Sequence, residues 1–389
     1  MKKILILLVI IFAWSCTHNK KEQNENDALV VEMDFDETTS IHNTGLIDSL
    51  DILRLDNSVI VGEINKVIRN DNRLYLLDAF MTNSVTVYDI EGNLIKQIAN
   101  HGQGPEEYLQ LTDFFIDKKK KELVLVSRSD KKLMKYNLDN LDLIAVEKMP
   151  KSFFSFTNTK NGYIGYMNNL IAEKPFNLWT MSQTLELTNS FFKIPLSWDS
   201  KSSGTIRPFS TYKDEIYCIQ SRDFNIYTVN ENKINIPYSF DFGKNTWPSE
   251  MRDYKEVESL RKDSPNQYIE SLYMFQETHN HLILKTVFKG QSLLGIYDKK
   301  LKKSYITELA PYTDKYFVPF GNIVGMDENA IYSLVDAQRV KRSIVGKDDY
   351  NDFESMYPTQ VKNLREKFKN VTVDEFDNPF LLIHYLNVK

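Results

Sequence analysis

The sequence predicts an all-β fold, a six-bladed β-propeller with two helical insertions on one face. Aromatic residues make up 12% of the 389-residue chain, with 23 Phe and 21 Tyr, a composition that favours strands. One short pattern recurs: an apolar-aromatic strand, a polar turn, then a second strand often ending Tyr-Asp or Tyr-Asn. The first strands of successive pairs start 49, 40, 53, 66 and 49 residues apart, which is blade spacing. One blade cannot bury both faces of its sheet, whereas a closed ring buries them all.

The pairs run in order along the chain. Leu74–Asp78 precedes Val85–Asp89, Leu123–Ser127 precedes Leu133–Asn137, and Tyr163–Met167 precedes Leu178–Ser182. Ile216–Gln220, Leu282–Thr286 and Ile331–Val335 begin the last three, the sixth finding its partner at Phe380–Leu386 after an insertion. With strands A to D counted outward from the axis, blade 2 reads most plainly: Asp113–Asp117, Glu122–Ser127, Leu133–Asn137 and Leu143–Lys148. Blade 1 spans about Gly62–Ile98, blade 3 Ser152–Pro195, blade 4 Ile206–Phe242 and blade 5 Tyr268–Glu308. Blade 6 starts near Phe317 and supplies three strands, so Leu50–Leu55 from upstream is expected to complete it and close the ring.

The N-terminus reads as an address. Lys2 and Lys3 precede the apolar run Ile4–Trp14, too short to span a bilayer but suited to a signal peptide. Ala13-Trp14-Ser15-Cys16 resembles the lipobox of bacterial lipoproteins. Residues 1–15 are therefore expected to be a signal peptide and Cys16 the lipidated first residue. Residues 16–40 are expected to form the lipidated N-terminus and a flexible tether, and 41–389 the propeller. The expected location is the cell envelope, lipid-anchored at the outer membrane. The only other cysteine, Cys218, lies in an apolar strand and reads as a buried small hydrophobe. With 48 basic and 53 acidic residues the formal charge is −5, which is no nucleic-acid footprint.

Three segments carry a family resemblance: the lipobox, Gly102-Gln103-Gly104-Pro105-Glu106-Glu107-Tyr108 between blades 1 and 2, and the terminal strand Asn378-Pro379-Phe380-Leu381-Leu382-Ile383. On these the chain resembles the six-bladed propeller lipoproteins of Bacteroidota-type envelopes, related in shape to TolB-like and NHL-repeat propellers. The resemblance covers roughly residues 40–389. It implies the fold and the location and carries no settled activity.

In an antiparallel four-stranded blade the B–C and D–A loops emerge on one side, here the loop face. Both insertions belong to it. Within 243–267, Met251, Tyr254, Val257 and Leu260 make a helical stripe, with Thr246 as expected N-cap and Pro248 in the first turn. Within 346–370, Tyr357, Val361, Leu364 and Phe368 make a second. The B–C loops also carry Arg128, Lys174, Arg222, Lys289 and Arg339, with Phe80, Phe176, Phe224 and Phe288 close by. Of these, Phe80, Arg128, Arg222, Phe224, Lys289 and Arg339 are the candidate binding residues, a cation-aromatic ring suited to an anionic or sugar-like ligand.

Catalytic motifs are absent. Gly102-Gln103-Gly104-Pro105 lacks Walker spacing and a following Lys-Ser/Thr, and Pro105 makes it a rigid interblade turn with Glu106 and Glu107 at the surface. His279-Asn280-His281 falls at an A–B turn without a third ligand, so no metal site is expected. No cofactor is implied. The expected function is a non-catalytic lipoprotein that is held to the membrane by its lipid and binds an envelope protein, peptide or glycan through its loop face. Two alternatives stand beside it. One is a propeller enzyme (lyase, lactonase or glycan-acting hydrolase) using inner-strand carboxylates such as Glu63, Asp113 and Glu270 at the channel mouth. The other is a TolB-like sensor or assembly module.

Overall fold

The computed structural model describes residues 28–387 apart from 40, 172–173, 202–206, 231–232, 249–252, 310–321, 342–361, 363–365 and 367–371. Cys16, the signal peptide and the stripe residues Tyr357, Val361, Leu364 and Phe368 of the expected helix within 346–370 lie outside the described residues.

Six sheets form the ring, each built on four antiparallel strands. In chain order the strands are β1 (Leu29–Glu32) and β2 (Ile47–Arg54), then blade 1 with β3 (Lys66–Asn70), β4 (Arg73–Asp78), β5 (Ser84–Asp89) and β6 (Leu94–Ile98). Blade 2 holds β7 (Leu111–Asp117), β8 (Glu122–Ser127), β9 (Lys132–Asn137) and β10 (Leu143–Lys148). Blade 3 holds β11 (Ser155–Asn158), β12 (Tyr163–Tyr166), β13 (Phe176–Met181) and β14 (Leu187–Lys193). Blade 4 holds β15 (Phe209–Tyr212), β16 (Glu215–Gln220), β17 (Asp223–Val229) and β18 (Ile234–Asp241), and helix α1 (Tyr254–Asp263) follows. Blade 5 holds β19 (Leu272–Glu277), β20 (His281–Phe288), β21 (Gln291–Asp298) and β22 (Lys303–Glu308). Blade 6 holds β23 (Asn322–Met326) and β24 (Ala330–Val335), then the short helix α2 (Ala337–Val340) and β25 (Phe380–Leu386).

Strand alternation explains why the ring is stable. In β4, Leu74 and Leu76 face the core shared with blade 6, while Tyr75 and Leu77 face the core shared with blade 2. In β8, Leu123 and Leu125 face blade 1, and Val124 and Val126 face blade 3. Period-2 strands with apolar residues in both phases thus supply two interblade cores each. In β16 the same rule puts Cys218 in the core between blades 3 and 4, and its burial pushes the thiol pKa up and keeps it inert. The recurrent Tyr-Asp and Tyr-Asn endings also have a mechanism. Asp89, Asn137 and Asp298 close strand C, and each side chain accepts two backbone N–H bonds from the following C–D turn.

The ring closes as expected. The upstream strand β2 pairs antiparallel with β25 from Ile47–Leu386 to Arg54–Phe380 and becomes the outer strand of blade 6. A second clasp fixes the seam on the loop face. The buried Asn378 side chain accepts from Val61 N (2.9 Å) and donates to the carbonyls of Asp56 (2.9 Å) and Val59 (2.8 Å).

Residues 29–39, expected as the end of a flexible tether, are instead built into the propeller. Strand β1 adds to the outer edge of blade 4, parallel to β18, and climbs from the turn face toward the loop face. Beyond it, Phe35 sits edge-on against Phe242 (5.2 Å) and Phe288 (5.7 Å), and Thr39 N donates to Ile306 O (2.7 Å). The apolar Leu29-Val30-Val31 run was the available signal, and burial of Val31, Met33 and Phe35 is what overrides the tether expectation. The first insertion does hold a helix, with Val257 buried and Tyr254 and Leu260 packed on the core between blades 4 and 5. Its start differs from expectation. Asp253, rather than Thr246, is the N-cap and accepts from Lys255 N (2.8 Å), and Pro248 lies ahead of the helix.

Candidate functional site

The expected cation-aromatic ring does not converge on one ligand position. Phe224 and Phe288 are buried in the core between blades 4 and 5, where Phe224 packs on Phe242 at 4.9 Å. Phe176 packs edge-on against Trp179. Arg128 lies over Phe154, 4.1 Å from the ring centre, and its partial burial lowers its pKa. Arg339 bonds Asp336, the N-cap of its own short helix. Lys289 is exposed beside Phe288. Phe80, by contrast, is the one exposed phenylalanine of the set, at 63%.

Arg222 is the most built-in of the candidates. Its guanidinium stacks 3.9 Å from Trp198 and faces Trp247 at 5.9 Å. Glu270 lies 3.6 Å away and is itself gripped by Arg261 of α1 through two bonds of 2.7 and 2.5 Å. Tyr254 of α1 packs edge-on against Trp198. Burial pulls the Arg222 pKa down to about 10, opposed by Glu270. The cation therefore ties α1 to blades 4 and 5 and is turned inward, not toward a ligand on the face. Trp198 and Trp247 were missed because tryptophans in D–A connections carry no strand period to flag them.

The interblade motif is a self-tied turn. Gly102 has φ +152°, and a Cβ there would collide with the Glu107 carboxylate. Glu107 accepts from Gly104 N (2.8 Å), and Lys132 Nζ donates to the carbonyls of Gly104 (2.8 Å) and Glu107 (2.6 Å). Tyr108 is fully buried and donates to the carbonyls of Asn83 (2.9 Å) and Ile98 (3.1 Å). Gln103, Pro105 and Glu106 face solvent, while Glu107 turns in. Nothing in this turn is arranged to cradle a phosphate.

The carboxylates considered for catalysis are apart and engaged. Asp113 is buried and takes Lys66 Nζ (2.6 Å), Ser155 Oγ and the backbone N–H groups of Phe114 and Phe156. Glu270 is held by Arg261 and Arg222, and Glu63 is exposed on the loop entering blade 1. His279-Asn280-His281 forms the A–B turn of blade 5, with His281 buried at 4.0 Å from Asp298. Among the described residues no cluster of three or more His, Cys, Asp or Glu side chains is placed to hold a metal.

What the loop face does present is apolar. Among the described residues thirteen large hydrophobic side chains are exposed. Six sit on outer strands of the ring, one (Leu301) sits on a turn of the opposite face, and six belong to loop-face connections: Ile60, Phe80, Met81, Leu109, Leu196 and Phe376. Ile60, Met81 and Phe376 are 76%, 72% and 88% exposed. Their loops are knit together at the seam between blades 6 and 1. Asp78, buried at the end of β4, accepts from the backbone N–H groups of Gly62 (3.0 Å) and Glu63 (3.1 Å) on one loop. On another it accepts from those of Phe80 (3.2 Å), Met81 (2.8 Å) and Thr82 (3.1 Å). Asn378 and Asp377 join the Phe376 loop to the same seam, Asp377 through Arg54 (3.0 Å) and Asn57 (2.6 Å). Exposed apolar side chains are thus carried on loops held by buried hydrogen bonds. Phe80 was foreseen; Met81, Ile60 and Phe376 were not, because one apolar residue inside a polar turn gives no pattern.

Comparison places this architecture among relatives. A family model described as a domain of unknown function matches residues 28–385. No curated protein matches the sequence. A crystal structure from Bacteroides fragilis, titled "Putative exported protein", superposes with TM-score 0.74 at 18% identity, covering 92% of this chain and 99% of that one. A member of the DUF4221 family from Bacteroides vulgatus gives TM-score 0.49 at 9% identity, over 88% and 97% of the two chains. BamB from Moraxella catarrhalis gives 0.38 at 11%, over 74% and 72%. At these identities the first likeness shows the six-bladed fold alone, and the other two support no inference. Among the described residues no helix is long and apolar enough to cross a membrane.

Proposed function

The chain belongs to the DUF4934 family of domains of unknown function, and from that premise we propose that it is a non-catalytic envelope lipoprotein whose loop face docks a protein partner. The observation that carries this reading is the exposure of Ile60, Phe80, Met81 and Phe376 on loop-face connections pinned by buried Asp78 and Asn378, with Leu109 and Leu196 exposed on other connections of the same face. Rigid loops lose little conformational entropy on docking, and exposed aromatic and Met side chains are the usual anchors of an interface. The glycan alternative is less favoured, because three of the four cations expected to serve it, Arg222, Arg128 and Arg339, are spent on Trp198, Phe154 and Asp336. Of the carboxylates considered for an enzyme at the channel, Asp113 and Glu270 are engaged by Lys66 and Arg261.

The direction of β1 supports a tethered geometry. It ascends blade 4 from the turn face, so a membrane-bound N-terminus leads into the propeller on the side away from the apolar patch. The lipobox-like Ala13-Trp14-Ser15-Cys16 supplies the anchor, and the exported label of the Bacteroides fragilis relative agrees with an envelope location. The test is affinity isolation of the full chain from mild-detergent envelopes with quantitative mass spectrometry. Cys16→Ser is expected to abolish labelling by an alkynyl fatty acid and release the protein from membranes. The native chain is expected to co-isolate one stoichiometric protein. Recovery of the lipoprotein alone after mild cross-linking would overturn the docking reading.

A further inference from the structure

Four connections of the loop face, 55–65, 79–83, 99–110 and 372–379, are joined to one another where blades 6, 1 and 2 meet. Asp78 ties the first to the second, and a Cβ on Gly62 would lie 2.7 Å from that of Met81, so these two loops touch. Asn83 ties the second to the third. Its side chain accepts from Leu111 N (2.7 Å) and donates to Leu109 O (3.0 Å), and its carbonyl accepts from Tyr108 Oη (2.9 Å). Asn378 ties the fourth to the first. Each connection exposes an apolar side chain: Ile60, Phe80 with Met81, Leu109 and Phe376. Together the four hold seven carboxylates and no Lys or Arg. Glu107 and Asp377 are engaged, whereas Asp56, Glu63, Glu106, Asp374 and Glu375 are exposed and form no salt bridge with a described residue. The neighbouring sequence does not cancel this charge. The stretch 336–371, which leads into the Phe376 segment, has eight basic and six acidic residues, and in 309–321 Asp314 balances Lys315. The cations Arg128, Lys174, Arg222 and Lys289 stand on the B–C loops of blades 2 to 5. The apolar sector of the loop face is therefore its acidic sector.

On the premise that this face docks a protein, on which the inference rests, we propose that its occupant is a basic amphipathic protein segment. The apolar side chains of that segment cover Ile60, Phe80, Met81 and Phe376, and its Lys or Arg side chains face Glu63, Glu106, Asp374 and Glu375. The apolar anchors supply affinity, and the carboxylates select the partner. Because these carboxylates are exposed, pairing them costs little desolvation, and their field steers a cationic partner over a Debye length of about 8 Å. The same charge works against two competing occupants. A second copy of the chain would bring carboxylates to carboxylates, and an anionic lipid surface would be repelled.

Photo-crosslinking in living cells from position 80 of the full-length chain, with mass spectrometry of the adduct, tests the proposal. The adduct is expected to map to a segment in which an excess of Lys and Arg is interleaved with apolar residues. Glu63→Lys with Glu106→Lys and Glu375→Lys is expected to lower its yield about tenfold or more. The same three positions changed to Gln lose charge without reversing it and should give a smaller loss. Glu91→Lys with Glu186→Lys and Glu328→Lys makes the equal change in net charge on exposed turns of the opposite face and should leave the yield native. Every set replaces exposed side chains and should melt within about 1 °C of the native chain. In isolated envelopes, raising sodium chloride from about 50 to 500 mM before irradiation should also lower the yield, because screening weakens charge pairing and leaves apolar contact intact. The basic-partner proposal is overturned, with the docking reading left standing, by an adduct that survives the loop-face Lys set or falls equally with the opposite-face set. An adduct that maps to a second copy of the chain, or to a segment without net positive charge, has the same meaning. Absence of any adduct from position 80 would overturn both.

Discussion

Asp78→Ala is expected to lower the melting temperature by about 5 °C and to open the loop face to proteolysis. One buried carboxylate accepts five backbone N–H bonds, from Gly62, Glu63, Phe80, Met81 and Thr82, together with the Thr82 hydroxyl at 2.9 Å. Removing it strands several donors where water reaches only some of them. Bonds to charged acceptors contribute about 1.5–3 kcal/mol each but are not additive, so the net loss is about 3–5 kcal/mol. For a chain of this size that free energy corresponds to roughly the stated shift. Asp78→Asn should do nearly as badly, since its amide turns an N–H₂ toward other N–H groups in place of one oxygen. Differential scanning calorimetry reads the shift, and limited proteolysis should show new cuts between Asn57 and Asn65 or between Ala79 and Asn83. A melting temperature within 1 °C of the native value would mean that these loops are not held by Asp78.

The second large effect is on binding. Phe80→Asp with Met81→Asp places two carboxylates on neighbouring exposed apolar side chains of the loop face. Both residues are solvent-exposed, so the fold should be unaffected, with a melting temperature within about 1 °C of native. Buried aromatic and Met anchors cost about 2 kcal/mol or more each when lost from an interface, and a charge adds a desolvation cost. Recovery of the partner is expected to fall about 100-fold or more. Leu301→Asp, on the opposite face, is the matched control and should recover the partner at the native level. Equal recovery with the double variant would move the interface elsewhere.

Much of the fold was legible because propeller strands repeat and are apolar in both phases. Phe380–Leu386 and the upstream closing strand were readable as halves of one blade, since blade 6 otherwise lacks a fourth strand. The extra strand β1 was harder to see. Its four residues pair with blade 4, more than 200 positions away in sequence, and only that pairing distinguishes them from a tether. Phe224 shows where phase would have served better than position. It stands beside a loop, yet it is in register with Ile226 and faces the same interblade core. Arg222 was read as a candidate binding residue from its loop position alone, whereas its surroundings come from Trp198 and Glu270, which only the folded connections around blade 4 bring beside it.

The central claim is that one face of the propeller is a protein-docking surface and the other is not. In-cell photo-crosslinking tests it most directly. A photoactivatable amino acid is placed at Phe80 or at Leu301 in the full-length chain, expressed at native level and irradiated in living cells. The account predicts one discrete crosslinked species of defined mass from position 80, lost when Phe376→Asp is added, and none from position 301. A discrete adduct at 301 with none at 80, or the same diffuse pattern from both positions, would contradict it.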